Sequence, residues 1–397
     1  MKIVVLTTRI PYPLMDGGSI ATMQMLQSLI NCGYVVKLLS LNTNKHFVEK
    51  GSLPPIFNTL AIESTDIDTN VNFKDAFKNL FSDKSYNANR FYSDDFRQLI
   101  VQTLLRSDYD VVLFDGIYSA VYLNTVKQFS KAKRILRPHN IEHDIWIKAA
   151  LDESFPKNWY ISLLAKKLKK FEYLSWPLFD AIIPISIIDE FTIRKAANTT
   201  QKIRTLPTAI DVKKIIANNA LADCKKIFHL GSMDWAPNQQ AMEWFLSMVW
   251  NKVESACKGQ FFMAGRNMPE DFFKYANDRI KVEGDIENVY EFMNDKQIMV
   301  VPLFAGSGIR IKILEGMAAA KTIITTSLGV QGIDAYDKEH VMIANNPLAF
   351  ADAIIWCVKN ETKCKEIGNN ARKLIEEKYS IENFEEELSK FIAEVTS

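Results

Sequence analysis

A chain of 397 residues, 48% of them hydrophobic, is long enough for two or three domains and apolar enough to fill a core in each. A net charge of +1 with 24% charged residues excludes a protein that grips nucleic acid by global charge. The five cysteines (Cys32, Cys224, Cys257, Cys357 and Cys364) are scattered and form no Cys-x-x-Cys pair, which argues against a disulfide framework or structural zinc and fits a reducing cytosol.

The chain opens directly on an apolar strand at 3–6, without the basic, apolar and small-residue regions of a signal peptide. No apolar run reaches the ~18–20 residues that span a bilayer. A loop over 7–18 leads into a helix at 19–31, which Gly33 caps before a strand at 35–41. Residues 42–108 read as helical decoration, with aromatic helices near 73–81 and 94–106 and a strand near 59–62. Phe73, Phe77, Phe81, Tyr86, Phe91 and Phe96 recur there as core residues or as the lining of an acceptor groove. Strands follow at 111–114, 134–136 and 181–185. The cluster Lys166-Lys167-Leu168-Lys169-Lys170 sits on a helix; a solvated face is the favoured reading, and peripheral contact with an anionic membrane is the alternative.

The second half repeats the alternation, with strands at 226–230, 260–264, 280–283, 298–302, 322–325 and 340–343 and helices such as 238–250 and 347–358. Strand–helix alternation predicts α/β architecture, a parallel sheet with helices on both faces in each half. The expected division is 1–205, 206–380 and a charged amphipathic helix at 381–397. Ligands of such sheets bind outside the carboxyl ends of the strands.

The segment 300–318 carries the most chemistry. It reads as buried strand, glycine-bearing loop and helix start. Gly306 and Gly308 let backbone approach a ligand, and a helix N-terminus offers unpaired N–H groups to phosphate. Arg310 and Lys312 add two positive charges, and Glu315, about a turn into the helix, can accept bonds from sugar hydroxyls. Together they describe a site for a nucleoside diphosphate. As ordinary solvated charges, or a helix-start acid, the same residues would be unremarkable.

In the first half, Asp16-Gly17-Gly18 stands between strand and helix, which suits a phosphate or acceptor loop, although a lone Gly-Gly is more often only a turn and Asp16 can be only a cap. His139 and His143 have a spacing that fits one helix face, with Glu142 between them, but the His-Glu-x-x-His order of a zinc site is absent. His139-Asn140 follows a strand, so His139 reads as a cleft residue with a structural histidine as rival. Asp66-Ile67-Asp68 lies in an irregular polar stretch, and no metal role is expected of it.

The stretches Phe228-His229-Leu230-Gly231-Ser232-Met233-Asp234-Trp235-Ala236-Pro237-Asn238, Met263-Ala264-Gly265-Arg266, Glu283-Gly284-Asp285, the 300–318 segment and Thr325-Thr326-Ser327-Leu328-Gly329-Val330-Gln331-Gly332-Ile333, with Asp16-Gly17-Gly18 and His139-Asn140-Ile141-Glu142, carry a resemblance. The chain resembles the retaining family 4 glycosyltransferases of the GT-B fold. That resemblance implies two doubly wound Rossmann-like domains with a cleft between them and a C-terminal helix packing back on the N-terminal domain. It implies transfer of a sugar from a nucleotide diphosphate-sugar to a saccharide or lipid-linked acceptor, in surface polysaccharide or glycoconjugate synthesis, with no cofactor and no metal. Catalytic roles fall to His139, expected to touch the donor sugar, and to Arg310 and Lys312. Donor binding falls to Gly231, Ser232, Asn238, Arg266, Asp285, Gly306, Ser307, Gly308, Ile309 and Glu315, and acceptor or cleft positions to Asp16, Gly17, Gly18, Asn140 and Glu142. The chain departs from the family in two places. Ser307 stands where many members carry the first Glu of a Glu-x7-Glu pair, and Ser232 and Asn238 stand in the loop where many use Arg and Lys, leaving that work to Arg310 and Lys312. A sugar-nucleotide epimerase of the same fold and a non-catalytic sugar-nucleotide-binding protein are the rival readings. A dehydrogenase lacks support, since no Gly-x-Gly-x-x-Gly fingerprint is present.

Overall fold

A computed structural model describes residues 1–14, 16–70, 79, 82–197, 201–217, 221–306 and 308–397. The chain forms two compact units. Unit 1 comprises Met1–Pro207 and Phe384–Ser397, and unit 2 comprises Thr208–Asn383.

Unit 1 is built on seven strands: β1 Lys2–Thr7, β2 Val35–Thr43, β3 Glu63–Ile67, β4 Val111–Asp115, β5 Lys133–Arg137, β6 Ala181–Ile182 and β7 Lys202–Ile203. Their order is β3-β2-β1-β4-β5-β6-β7, and every pairing is parallel. The central strands β1 and β4 are buried almost throughout, as apolar runs must be when helices cover both faces. Two strands differ from expectation. The one read at 59–62 forms at β3 instead, because Ile56–Thr59 closes a helical turn and Ala61 takes a left-handed φ of +43°. Asp66 therefore sits on a strand, not in an irregular stretch, and accepts from Asn42 Nδ2 at 3.0 Å, while Asp68 accepts from Asn44 Nδ2 at 2.8 Å. The strand read at 181–185 stops at Ile182, two residues before Pro184, which has no N–H to give a ladder. Phe91 stacks on Tyr118 and Phe96 packs edge-on against Tyr122, so both are core residues. The helix read at 73–81, with Phe73, Phe77 and Phe81, lies outside the described residues, as does Ser307.

The helix Ile381–Thr396 buries Phe384, Leu388, Phe391, Ile392 and Val395. Asn31 donates to Glu385 Oε1 at 2.8 Å, Arg204 pairs with Glu394 at 2.8 Å, and the Arg204 guanidinium lies over the Phe391 ring. These ties hold the helix within unit 1.

Unit 2 has six parallel strands: β8 Asp223–Leu230, β9 Gln260–Ala264, β10 Ile280–Gly284, β11 Lys296–Val301, β12 Thr322–Thr325 and β13 Met342–Ile343. Their order is β10-β9-β8-β11-β12-β13. The helix that begins at Ala236 runs on through a widened turn at Phe245–Trp250 to Asn251–Cys257, where Lys258 caps it in the left-handed region. Each unit is thus a doubly wound Rossmann-like sheet. Each reverses its strand order once, between β1 and β4 in unit 1 and between β8 and β11 in unit 2. Loops leaving the carboxyl ends of such a strand pair diverge and open a crevice. All five cysteines are free thiols, and among the described residues no helix is long and apolar enough to cross a membrane.

Candidate active site

In unit 2 the loops leaving β8 and β11 meet across the reversal point. Lys312 lies in the first turn of the helix Ile311–Ala318, yet its side chain reaches across to the start of the helix that follows β8, where Nζ donates to Asn238 Oδ1 at 2.8 Å. Asn238 Nδ2 in turn donates to the Ser232 carbonyl at 2.8 Å, and Arg266 donates to Ser232 Oγ at 3.0 Å. A side chain at Gly231 would collide with this set, its Cβ falling 2.8 Å from Asn238 Nδ2 and 3.0 Å from Lys312 Nζ. Gly265, at the end of β9, has φ +149°, and a Cβ there would fall 1.6 Å from the Gly231 carbonyl oxygen. The β9 loop can lie this close to the β8 loop only because position 265 is glycine.

Arg310 occupies the N-cap position of the Ile311–Ala318 helix, and its guanidinium turns back to donate to the Gly308 carbonyl at 2.6 Å. Gly306 has φ +113°, and a Cβ there would lie 3.0 Å from the Trp235 ring and 3.1 Å from Arg310 Nη2. Ile309 packs on the core, and Asp285 accepts from the Asn267 amide at 2.9 Å. The ionisations are unusual. Burial, with the Arg310 charge second, pushes the Lys312 ammonium down to about 7. Burial pushes the Glu315 carboxyl up to about 7. A cation and an acid both pushed toward their neutral forms by burial are suited to a ligand that supplies what the protein withholds.

Three residues here were missed in the sequence. His229 is fully buried at the end of β8; Nδ1 donates to the Val300 carbonyl at 2.8 Å, and Nε2 has no partner among the described residues. Burial, then the Lys312 charge, holds it far below the usual range and therefore neutral. Trp235 offers an exposed ring beside Gly306, and Tyr290 is close enough to Glu315 to have its hydroxyl pushed up to about 12, burial being the larger cause.

In unit 1 the reversal point carries a buried ionic cluster that was also missed. Asp115 ends β4 and Arg137 ends β5, and both are buried. Asp115 Oδ1 lies 2.9 Å from His139 Nε2 and 3.5 Å from Arg137 Nη1, and Thr22 donates to Asp115 Oδ2. Arg137 Nη1 also donates to the Ala21 carbonyl at 3.1 Å. Burial opposes ionisation, but the His139 and Arg137 charges outweigh it and hold Asp115 at about 2. The signal was present: a charged residue directly ending an apolar strand, where ligands of this fold bind.

Asp16 caps the helix Gly17–Asn31 through a reciprocal pair with Ser19 and receives a two-pronged ion pair from Arg9, at 2.8 and 2.5 Å. A Cβ on Gly18 would fall 2.8 Å from Arg9 Nη2 and 3.8 Å from His139 Nδ1. His139 and His143 do not share a helix face. His139 precedes the helix Glu142–Leu151, whereas His143 lies inside it and bonds Glu172 at 2.5 Å. Glu172 also accepts from the Glu142 and His143 amides, both at 3.0 Å, so it caps that helix. Glu142 accepts from the Tyr118 hydroxyl at 3.0 Å and lies against Asn140. Among the described residues no group of three His, Cys, Asp or Glu side chains is placed to hold a metal ion.

Residues 224–360 match the family model described as Glycosyl transferases group 1. Over 95% of its length the chain is 26% identical to an uncharacterized 44.6 kDa protein in the cps region of Klebsiella pneumoniae, covering 96% of that protein. Among solved structures it resembles sucrose-phosphate synthase from Thermosynechococcus elongatus, with a TM-score of 0.72 at 13% identity over 100% of this chain and 99% of that one. It also resembles HepE from Anabaena in complex with UDP, with a TM-score of 0.65 at 11% identity over 99% of this chain and 100% of that one. Fold and crevice define a GT-B architecture. Unit 2 carries a group 1 glycosyltransferase domain, and the chain is a glycosyltransferase.

Proposed function

We propose that this enzyme is a retaining, family 4-like transferase that moves a sugar from a nucleoside diphosphate-sugar to a hydroxyl acceptor without a metal. The observation that carries this reading is the Lys312–Asn238 bond across the reversal point of unit 2, with Arg310 beside it. Cleaving the sugar–phosphate bond leaves extra negative charge on the diphosphate. Two fixed cations and a helix N-terminus aimed at that charge stabilise the leaving group, the kind of preorganisation that is often the largest catalytic term. Arg310 and Lys312 then do for the diphosphate what a divalent cation does in metal-dependent transferases. Glu315 serves as acceptor for ribose hydroxyls, and the acceptor substrate belongs to unit 1, near Gly18 and His139. HepE was crystallised with UDP, which makes uridine nucleotides the first donors to try. The cps-region relative favours an acceptor that is a growing surface saccharide, free or lipid-linked.

The test is to incubate the protein with nucleotide-sugars and saccharide acceptors and to follow nucleoside diphosphate release. Release that requires the acceptor, with the new glycosidic bond in the donor's anomeric configuration, is the expected result. Release or epimerisation without any acceptor would favour the epimerase. An inverted product would overturn retention.

A further inference from the structure

We infer that Asp115 is a positioning residue that turns His139 into a hydrogen-bond acceptor facing Gly18, so that Nδ1 takes a bond from a substrate hydroxyl. The identity of that hydroxyl as a saccharide's rests on the function proposed above; the orientation of the imidazole does not.

The argument starts from the carboxylate. Asp115 is buried and is surrounded by donors: Thr22 on Oδ2, and Arg137 Nη1 at 3.5 Å and His139 Nε2 at 2.9 Å on Oδ1. A carboxylate so placed is ionised and can only accept, so the nitrogen it meets must carry a hydrogen. In the neutral imidazole that leaves Nδ1 bare. Nδ1 is the nitrogen that faces Gly18, 3.8 Å from where a Cβ would stand.

The charge balance supports this division of labour. Arg137 gives Asp115 a second positive neighbour inside the cluster besides His139. Glu142 and the Arg9–Asp16 pair beside Gly18 also face His139, and that pair is closed on itself. Gly18 keeps the space over Nδ1 open.

Nitrogen-15 NMR of the imidazoles in the wild-type protein tests the orientation directly. The chain has five histidines, and the His139 signal is the one lost in His139→Gln. The expected result for the neutral ring is hydrogen on Nε2 and none on Nδ1; the opposite tautomer overturns the inference. In Asp115→Asn the amide can donate as well as accept, so the preference for hydrogen on Nε2 should fall. A residue with only a structural role would lower the rate and leave the tautomer preference as it was, and an unmoved preference would overturn the assignment. The opposite tautomer in an active transferase would strike the dyad alone. The expected tautomer in a protein with no acceptor-dependent turnover would strike the reaction and leave the dyad standing.

Discussion

The two units solve the same topological problem with opposite electrostatics. Both place their charged side chains at the carboxyl ends of the strand pair where the order reverses. In unit 1 the charges answer one another: Asp115 meets Arg137, His139 and Thr22, and Asp16 meets Arg9. In unit 2 Lys312 and Glu315 have no such charged partner among the described residues. Lys312 has a neutral amide for its partner, Arg310 a carbonyl, and the Glu315 carboxyl is pushed toward neutrality by burial. A site whose ionisable groups are held away from their ordinary states is costly to the free fold and gains most from a charged ligand. A cluster already compensated is a scaffold that aims one group.

The contrast can be broken most forcefully in unit 1. Asp115→Ala leaves the Arg137 charge buried without its counter-ion and should destabilise the unit by about 3–5 kcal/mol, read by denaturant unfolding. In unit 2, Lys312→Ala should leave the melting temperature unchanged or raised while lowering kcat by about 10²–10³-fold. Loss of folding in that variant would remove the distinction between scaffold and strained site. Glu315→Gln sharpens it further. A carboxyl at about 7 in the fold and 4.5 in the unfolded chain contributes stability that is whole below 4.5 and lost as pH rises through 7. The amide variant should therefore be more stable than wild type at pH 8, by about 1–2 kcal/mol for a half-buried group, while binding donor more weakly. The smallest effect is on affinity itself. Diphosphate favours the charged Lys312, whose ordinary state in the free protein is lost above about 7, so nucleoside diphosphate binding should weaken about fivefold between pH 7 and 8. Calorimetry in buffers of different ionisation enthalpy should show proton uptake on binding; a pH-independent constant would mean that Lys312 does not touch the diphosphate.

The sequence was readable where local rules suffice. The strands at 260–264 and 322–325 match β9 and β12 because short apolar runs bounded by turns leave little choice. The loop from Gly306 to Lys312 stood out because glycines and cations follow a buried strand. What could not be read was partnership across the sheet. Asp115 and Arg137 look like solvated strand ends until β4 is known to lie between β1 and β5, and no local pattern states that order. The spacing of His139 and His143 suggested one helix face because the helix start at Glu142 was not foreseen. Lys312 looked like a neighbour of Arg310, and only the fold shows it bonded to Asn238, 74 residues away.

The helix Ile381–Thr396 comes after all of unit 2 in the chain yet lays its apolar face in unit 1, fixed by Asn31 and Arg204. During synthesis, then, the half that leaves the ribosome first must wait with part of its core uncovered until the other half has emerged. Unit 2 has no such debt to later sequence, and on a translating ribosome it is the better placed of the two to close early.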